Sequence, residues 1–166
     1  MNIITVTEAN DQLLFEVRLA VDGPFEELAE VTKVQREALR YGAQIDDTQA
    51  FLAIENGMCV GYVEVMLSEP TYHVGAPADK LDGLVELAHI ARIGLTETAR
   101  GKGIATTLLT HAEGWIKLKG KTGMWLGYAL KNKPAGKLYS RFGFANLVEF
   151  EDPIKKRMRR IVMKKW

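Results

Sequence analysis

The sequence predicts an α/β fold of the α+β kind: a mixed, mostly antiparallel sheet of six to seven strands, one parallel β-α-β crossover and about four helices. Three observations predict it. Short β-rich runs recur, and two of them flank the hairpin dipeptide Asn56-Gly57. Apolar residues fall at helical spacing in 104–116 and again in 135–142. An apolar strand, a helix and a second apolar strand follow one another between 85 and 130, the order of a right-handed parallel crossover.

Taken in order, the first strand comes from 2–6 or from 13–20. Ile3, Ile4 and Val6 favour β structure, and Leu13–Leu19 is the stronger apolar run. Asp22-Gly23-Pro24 is a turn signal, with Pro24 suited to the first turn of a helix. Phe25, Leu28, Val31 and Val34 then recur at helical spacing, so one helix, whole or broken in two, is expected within 24–41. Phe51–Ile54 and Met58–Leu67 are the arms of the hairpin, with Tyr62, Glu64 and Met66 on one face of the second. Residues 68–81, with Pro70, Gly75 and Pro77, form a long loop. It is read either as a lid with Tyr72 and His73 as contacts or as a surface excursion. Val85–Leu95 is nearly continuous in apolar residues, as in a strand buried on both faces. A helix over 101–118, a strand over 124–130 and a helix capped by Asn132 and ended by Gly143 follow. Phe144–Phe150 and Lys156–Lys165 close the chain as a hairpin. Its run Lys155, Lys156, Arg157, Arg159, Arg160, Lys164, Lys165 reads as a solvated edge strand guarded by charge, or as a reader of anionic partners.

The stretch that carries chemistry is 93–116. Arg100-Gly101-Lys102-Gly103-Ile104-Ala105 opens a helix whose apolar stripe is Ile104, Ala105, Leu108, Leu109, Ala112, Trp115 and Ile116. Glycines in a first turn let a ligand approach the backbone. The first helical amides lack intrahelical acceptors and carry the positive end of the helix dipole. Two cationic side chains add to this, and the sum is a receptor for phosphate or pyrophosphate. It is neither a Walker loop nor GxGxxG, because Thr106 stands where the third glycine would be. The plainer reading is that the glycines only permit tight packing.

Arg100-x-x-Gly103-x-Ala105 after an apolar strand resembles the coenzyme A pyrophosphate loop of the GNAT (GCN5-related N-acetyltransferase) family, [Arg/Gln]-x-x-Gly-x-[Gly/Ala]. Downstream, Asn132-x-x-Ala135-x-x-x-Tyr139-x-x-x-Gly143-Phe144 is similar to the family's second motif at its usual distance. The likeness covers 50–166 clearly and the first fifty residues in layout. It implies a GNAT-type sheet with helices on its two faces and a single domain over 1–166. It also implies acetyl-CoA as co-substrate and N-acetyl transfer to a primary amine by direct attack. The alternative is a non-catalytic CoA-binding sensor or interaction module on the same fold.

By the same resemblance, residues 100–105 (Arg100, Gly101, Lys102, Gly103, Ile104, Ala105) hold the pyrophosphate. The main chains of Ile93 and Leu95 hold the pantetheine arm, Asn132 contacts the cofactor, and Tyr139 is the acid for the leaving thiolate. Tyr139 also reads as an amphipathic core residue, and Asn132 as a plain helix cap. The base is Glu86 or His89, with Glu64 and a water chain as further options. Residues 86 and 89 have opposite parity, so on a regular strand only one faces a cleft. His111 borders the apolar helix face and reads as structural.

A chain of 166 residues, 47% hydrophobic, suits one full-sized core. A net charge of +1 points neither to nucleic acid nor to a membrane surface. The single cysteine, Cys59, excludes an internal disulfide, fits a reducing cytoplasm and reads as a buried small hydrophobe. His73, His89 and His111 are scattered, so no metal site is expected. No apolar run reaches the ~20 residues of a membrane span, and the N-terminus does not read as a signal peptide. The expected partners are a small-molecule or protein amine and, as in the family, no chain or one further copy.

Overall fold

The computed structural model describes residues 1–23, 48–67, 76, 78–84, 86–153 and 155–166. Its elements are β1 (Asn2–Thr5), α1 (Asp11–Asp22), β2 (Thr48–Glu55), β3 (Met58–Met66), β4 (Ala88–Leu95), α2 (Ile104–Leu118), β5 (Gly123–Ala129), α3 (Lys133–Phe142), β6 (Ala145–Asp152) and β7 (Arg157–Lys165). One seven-stranded sheet runs in the order β1-β2-β3-β4-β5-β7-β6. β4 and β5 are parallel; β1/β2, β2/β3, β5/β7 and β6/β7 are antiparallel. The described residues hold three α-helices where about four were expected. The helix expected within 24–41, Tyr72, His73 and most of the 68–81 loop lie outside the described residues.

By internal contacts the chain divides into two units, Met1–Met66 with Ala91–Ala112, and Leu67–Ile90 with Glu113–Trp166. In the first, Leu13–Leu19 is helix, so of the two options for the first strand the N-terminal one holds. The reason is periodicity. Leu14, Val17 and Val21 lie three and four apart and close over Val6, Ala50, Leu52 and Tyr62. Alternate residues of the same run would have had to face solvent in a strand. Asp22 ends the helix, and the Gly23 N–H donates to Leu19 O. The β2–β3 hairpin turns on Asn56 (φ 51°) and Gly57 (φ 78°), the two positive dihedrals that a tight hairpin needs. Cys59 is half-buried against this core, and its thiol is pushed up from the ordinary value by burial.

In the second unit, Leu84, Leu87, Trp125, Phe150 and Ile161 form the core. The expectation of a charged edge strand over 156–165 is overturned: β7 lies between β5 and β6, and β6 is the edge. Three of the seven basic residues there are engaged within the unit. Arg159 pairs with Asp152 at 3.6 Å, and Arg160 with Glu149. Lys164 pairs with Glu113 at 2.6 Å and lies over the Phe142 ring.

β4 differs from its expectation in two ways. It begins at Ala88 rather than 85, and only Ala88 and Ile90 are buried, with the rest half-buried. A long apolar run therefore does not mean burial on both faces here.

Candidate active site

The loop after β4 is anchored before it becomes open. The Thr96 N–H and Oγ1 both donate to Val60 O, at 2.9 and 3.3 Å. A single 3-10 turn, Glu97–Ala99, follows and buries Ala99. Arg100 is extended (φ −68°, ψ 151°), then Gly101 (φ 77°) and Gly103 (φ 80°) take left-handed dihedrals that strain any residue with a Cβ. The glycines thus precede the helix rather than lying in its first turn, because a positive φ cannot continue into a right-handed helix.

α2 starts at Ile104, whose side chain is buried, and the Thr107 N–H donates to Gly103 O at 3.1 Å. The N–H groups of Gly101 to Thr106, six in succession, donate to no acceptor among the described residues. A Cβ built on Gly101 or Gly103 would meet nothing within 4 Å, so close packing is not what requires glycine at either position. Amides at a helix start that find no acceptor are suited to an anion with many oxygens. Arg100 is exposed and makes no ion pair with a described residue. Lys102 is bridged to Glu55 at 3.2 Å, so its charge is partly compensated. Ile93 and Leu95 lie half-buried on β4, directly before the loop.

The carboxylate and imidazole expected as bases are placed differently from one another. Glu86 is exposed and sits in the turn before β4, where its carbonyl accepts from the Thr122 N–H and Oγ1 at 3.3 Å. It is not on a strand, so the parity comparison with His89 does not apply. His89 is on β4, half-buried, and stacks on Trp125 with ring centroids 4.0 Å apart and planes 10° from parallel. The β4–β5 ladder consists of Ala88↔Met124 and His89↔Trp125. Glu64 is buried and faces Arg18 at 3.3 Å. Burial pushes its carboxyl above the usual range, against the attraction of Arg18 and Arg92. Beside it the Tyr62 hydroxyl donates to Asp22 Oδ2 at 2.8 Å, and Arg92 lies 3.8 Å from the same carboxylate. Sequence reading named Glu64 but missed its partners Arg18, Asp22, Tyr62 and Arg92. Arg18 in the middle of an apolar helical stripe was the available signal. His111 is exposed and meets the Phe51 ring edge-on at 4.7 Å.

Asn132 caps α3 and Tyr139 lies within it, seven residues and thus about two turns further on. Asn132 Oδ1 accepts from the Ala135 N–H at 3.2 Å, so the cap expected from Asn132 and Pro134 forms. Tyr139 is buried, packed at 5.3 Å on the Tyr128 ring and at 5.8 Å, edge-on, on Phe144. Its hydroxyl makes no hydrogen bond to a described residue. Burial first, then Tyr128, pushes its pKa up to about 12. The phenol is therefore protonated at neutral pH. Tyr128 was not singled out from sequence. It accepts a hydrogen bond from Arg160 Nη1 at 3.3 Å.

Among the described residues no cluster of His, Cys, Asp or Glu could hold a metal ion, and no helix is long and apolar enough to cross a membrane.

The model of the acetyltransferase (GNAT) family matches residues 17–144. No curated protein matches the chain. Among solved structures the chain is similar to a protein from Desulfovibrio desulfuricans described as an acetyltransferase of the GNAT family, with TM-score 0.75, 16% identity and 99% of each chain covered. It is also similar to the ribosomal-protein-alanine N-acetyltransferase of Brucella melitensis, with TM-score 0.70, 16% identity and all of both chains covered. A third is the PaiA N-acetyltransferase of Thermoplasma acidophilum in complex with coenzyme A, with TM-score 0.67, 20% identity and all of both chains covered. At these identities the likeness shows the fold alone.

Proposed function

The chain belongs to the GNAT acetyltransferase family, and on that premise we propose that it is an acetyl-CoA-dependent N-acetyltransferase, a single domain over 1–166, acting on a primary amine by direct attack in a ternary complex. The observation that carries this reading is the run of six amides from Gly101 to Thr106 that find no acceptor among the described residues, opened by two left-handed glycines. The solved complex of the similar Thermoplasma enzyme with coenzyme A supports the choice of donor. Acetyl-CoA, when bound, supplies an activated acetyl thioester.

The chain's own residues then do four things. The amides of 101–106, with Arg100, hold a diphosphate. The backbone of Ile93 and Leu95 holds the pantetheine arm, with Asn132 as a further contact. A β4 amide polarises the thioester carbonyl, a role for which one aligned donor contributes about 3 kcal/mol. Tyr139 donates a hydrogen bond to the departing sulfur. A thiol has an ordinary pKa near 8.5. Full transfer of a proton held at about 12 would be uphill by on the order of 5 kcal/mol. Tyr139 therefore acts as a hydrogen-bond donor while solvent completes the protonation. Glu86 or His89 takes the proton of the attacking amine, directly or through water. Glu64 is the weaker choice, since it is buried against Arg18.

The acceptor is a small-molecule or protein amine, and a monomer or homodimer in the cytoplasm is the expected setting. The test joins two measurements. Acetyl-CoA and CoA should raise the thermal midpoint, and an amine library should yield at least one acceptor with thiol release. CoA binding without release for any amine would leave the non-catalytic module as the answer.

A further inference from the structure

Within the first unit, Asp22, Tyr62 and Arg92 form a polar cluster where α1 ends over β4. Gly94 lets the elements come this close. A Cβ there would stand 2.6 Å from Val21 Cγ1 and 2.8 Å from Tyr62 Cε1. Side chains alternate along a strand, so Arg92 lies on the same face of β4 as Gly94, the face that α1 covers.

The members of the cluster differ in how much of their bonding capacity is used. Arg18 and Glu64, beneath it, are buried and face each other. Tyr62 is buried, and its hydroxyl donates to Asp22 Oδ2. Arg92 and Asp22 reach solvent, with side chains 37% and 26% exposed. Their closest approach, 3.8 Å, is longer than a hydrogen bond. The Arg92 guanidinium, all donors and no acceptor, makes no hydrogen bond to a described residue. Asp22 Oδ1 accepts none from a described residue.

One cation and one anion thus stand side by side, each with bonding capacity left over. A phosphate dianion at Arg92 would be repelled by Asp22, and a polyamine at Asp22 would be repelled by Arg92. A dipolar group satisfies both. Its carboxylate takes the guanidinium fork two bonds at a time, and its amino group donates to Asp22 Oδ1. Arg92 also directly precedes Ile93. Its side chain therefore starts one Cα step, ~3.8 Å, from the main chain assigned to the pantetheine arm.

We propose that the acceptor is an amino acid with a free carboxylate, held by Arg92 and Asp22 on the α1 side of β4. The proposal rests on the acetyltransferase reading and names its substrate class. The anchor adds no chemical step. It fixes where the amine stands before attack, with Arg92 selecting the carboxylate and Asp22 orienting the amino group.

The test measures acetyl-CoA-dependent thiol release for each amino acid, its amide and its decarboxylated amine. Wild type is compared with Arg92→Gln and Arg92→Lys. Wild-type kcat/KM should favour at least one amino acid over both analogues by about tenfold to a hundredfold. Arg92→Gln should raise the KM for that amino acid and bring its ratio to the amide near one. Arg92→Lys should restore part of the preference. The KM for acetyl-CoA should hold in both variants, which general damage to the fold would not allow. In parallel, thermal midpoints with saturating CoA are compared with and without each amino acid. A shift that Arg92→Gln abolishes, without turnover of any amine, would remove the enzyme reading and keep the anchor. Amides or decarboxylated amines turned over as well as amino acids, or an unchanged ratio in Arg92→Gln, would overturn the anchor and leave the enzyme reading in place. Neither turnover nor a shift with any amino acid would overturn the anchor too. Should Arg92→Gln fail to fold, Arg92→Lys and the wild-type ratio still decide.

Discussion

Arg18 on α1 and Glu64 on β3 face each other at 3.3 Å with side chains 1% and 10% exposed, an ion pair removed from water. Breaking such a pair from one side leaves a buried charge, which costs about 3–5 kcal/mol, whereas an apolar replacement of both is close to neutral. Arg18→Met should therefore lower stability by roughly that amount in denaturant titration. Arg18→Met/Glu64→Leu should regain most of it. A double variant as unstable as the single one would show that the pair is not the unit that matters.

The same carboxyl sets a pH dependence. Burial, reinforced by Asp22 and opposed by Arg18 and Arg92, holds Glu64 above its ordinary range. The folded state then keeps its proton to higher pH than the unfolded chain, whose carboxyl titrates near 4.3. The stability contributed by Glu64 is complete below that value and is lost as pH rises through the folded value. Thermal midpoints of the wild type and Glu64→Gln, measured from acid to neutral pH, should diverge, with the variant gaining relative to the wild type as pH rises. A constant difference would contradict the direction of the shift.

Gly123 opens β5 against β7, where a Cβ would lie 2.3 Å from the Lys164 carbonyl oxygen and 2.9 Å from Leu87 Cδ2. A backbone oxygen in a ladder cannot step aside as a side chain can. Gly123→Ala should cost about 3 kcal/mol, seen as a fall of roughly 6–12 °C in Tm.

These positions mark what sequence can and cannot disclose. Asn56-Gly57, the Asn132 cap and the left-handed Gly143 are local, and each stands where its residue type demanded. The crossover over 88–129 was legible because its period changes from strand to helix and back. Leu13–Leu19 was ambiguous since a short apolar run fits either element, and only packing on Tyr62 and Leu52 decides it. The placement of β7 inside the sheet depends on the partners of its strand neighbours, which no local pattern records. The glycine-rich loop was visible as a motif. The Arg18, Asp22, Tyr62, Glu64 and Arg92 group was not, because its members come from α1, β3 and β4 and meet only in the folded chain.

Tyr139→Phe tests the phenol. Loss of one hydrogen-bond donor to the leaving sulfur should lower kcat by about 10²-fold and leave CoA affinity unchanged. Because the phenol titrates only near about 12, the wild-type rate should show no loss from this group between neutral pH and pH ~10. An unchanged kcat in the variant would return Tyr139 to a packing role beside Tyr128 and Phe144.

The amides of Gly101 to Thr106 are read as the seat of the donor's diphosphate, and amide-resolved NMR during a CoA titration addresses that directly. The expected result is saturable movement concentrated at Gly101, Lys102, Gly103, Ile104, Ala105 and Thr106, reduced when dephosphorylated pantetheine replaces CoA. Saturating CoA that leaves these six resonances in place, or moves others instead, would contradict it.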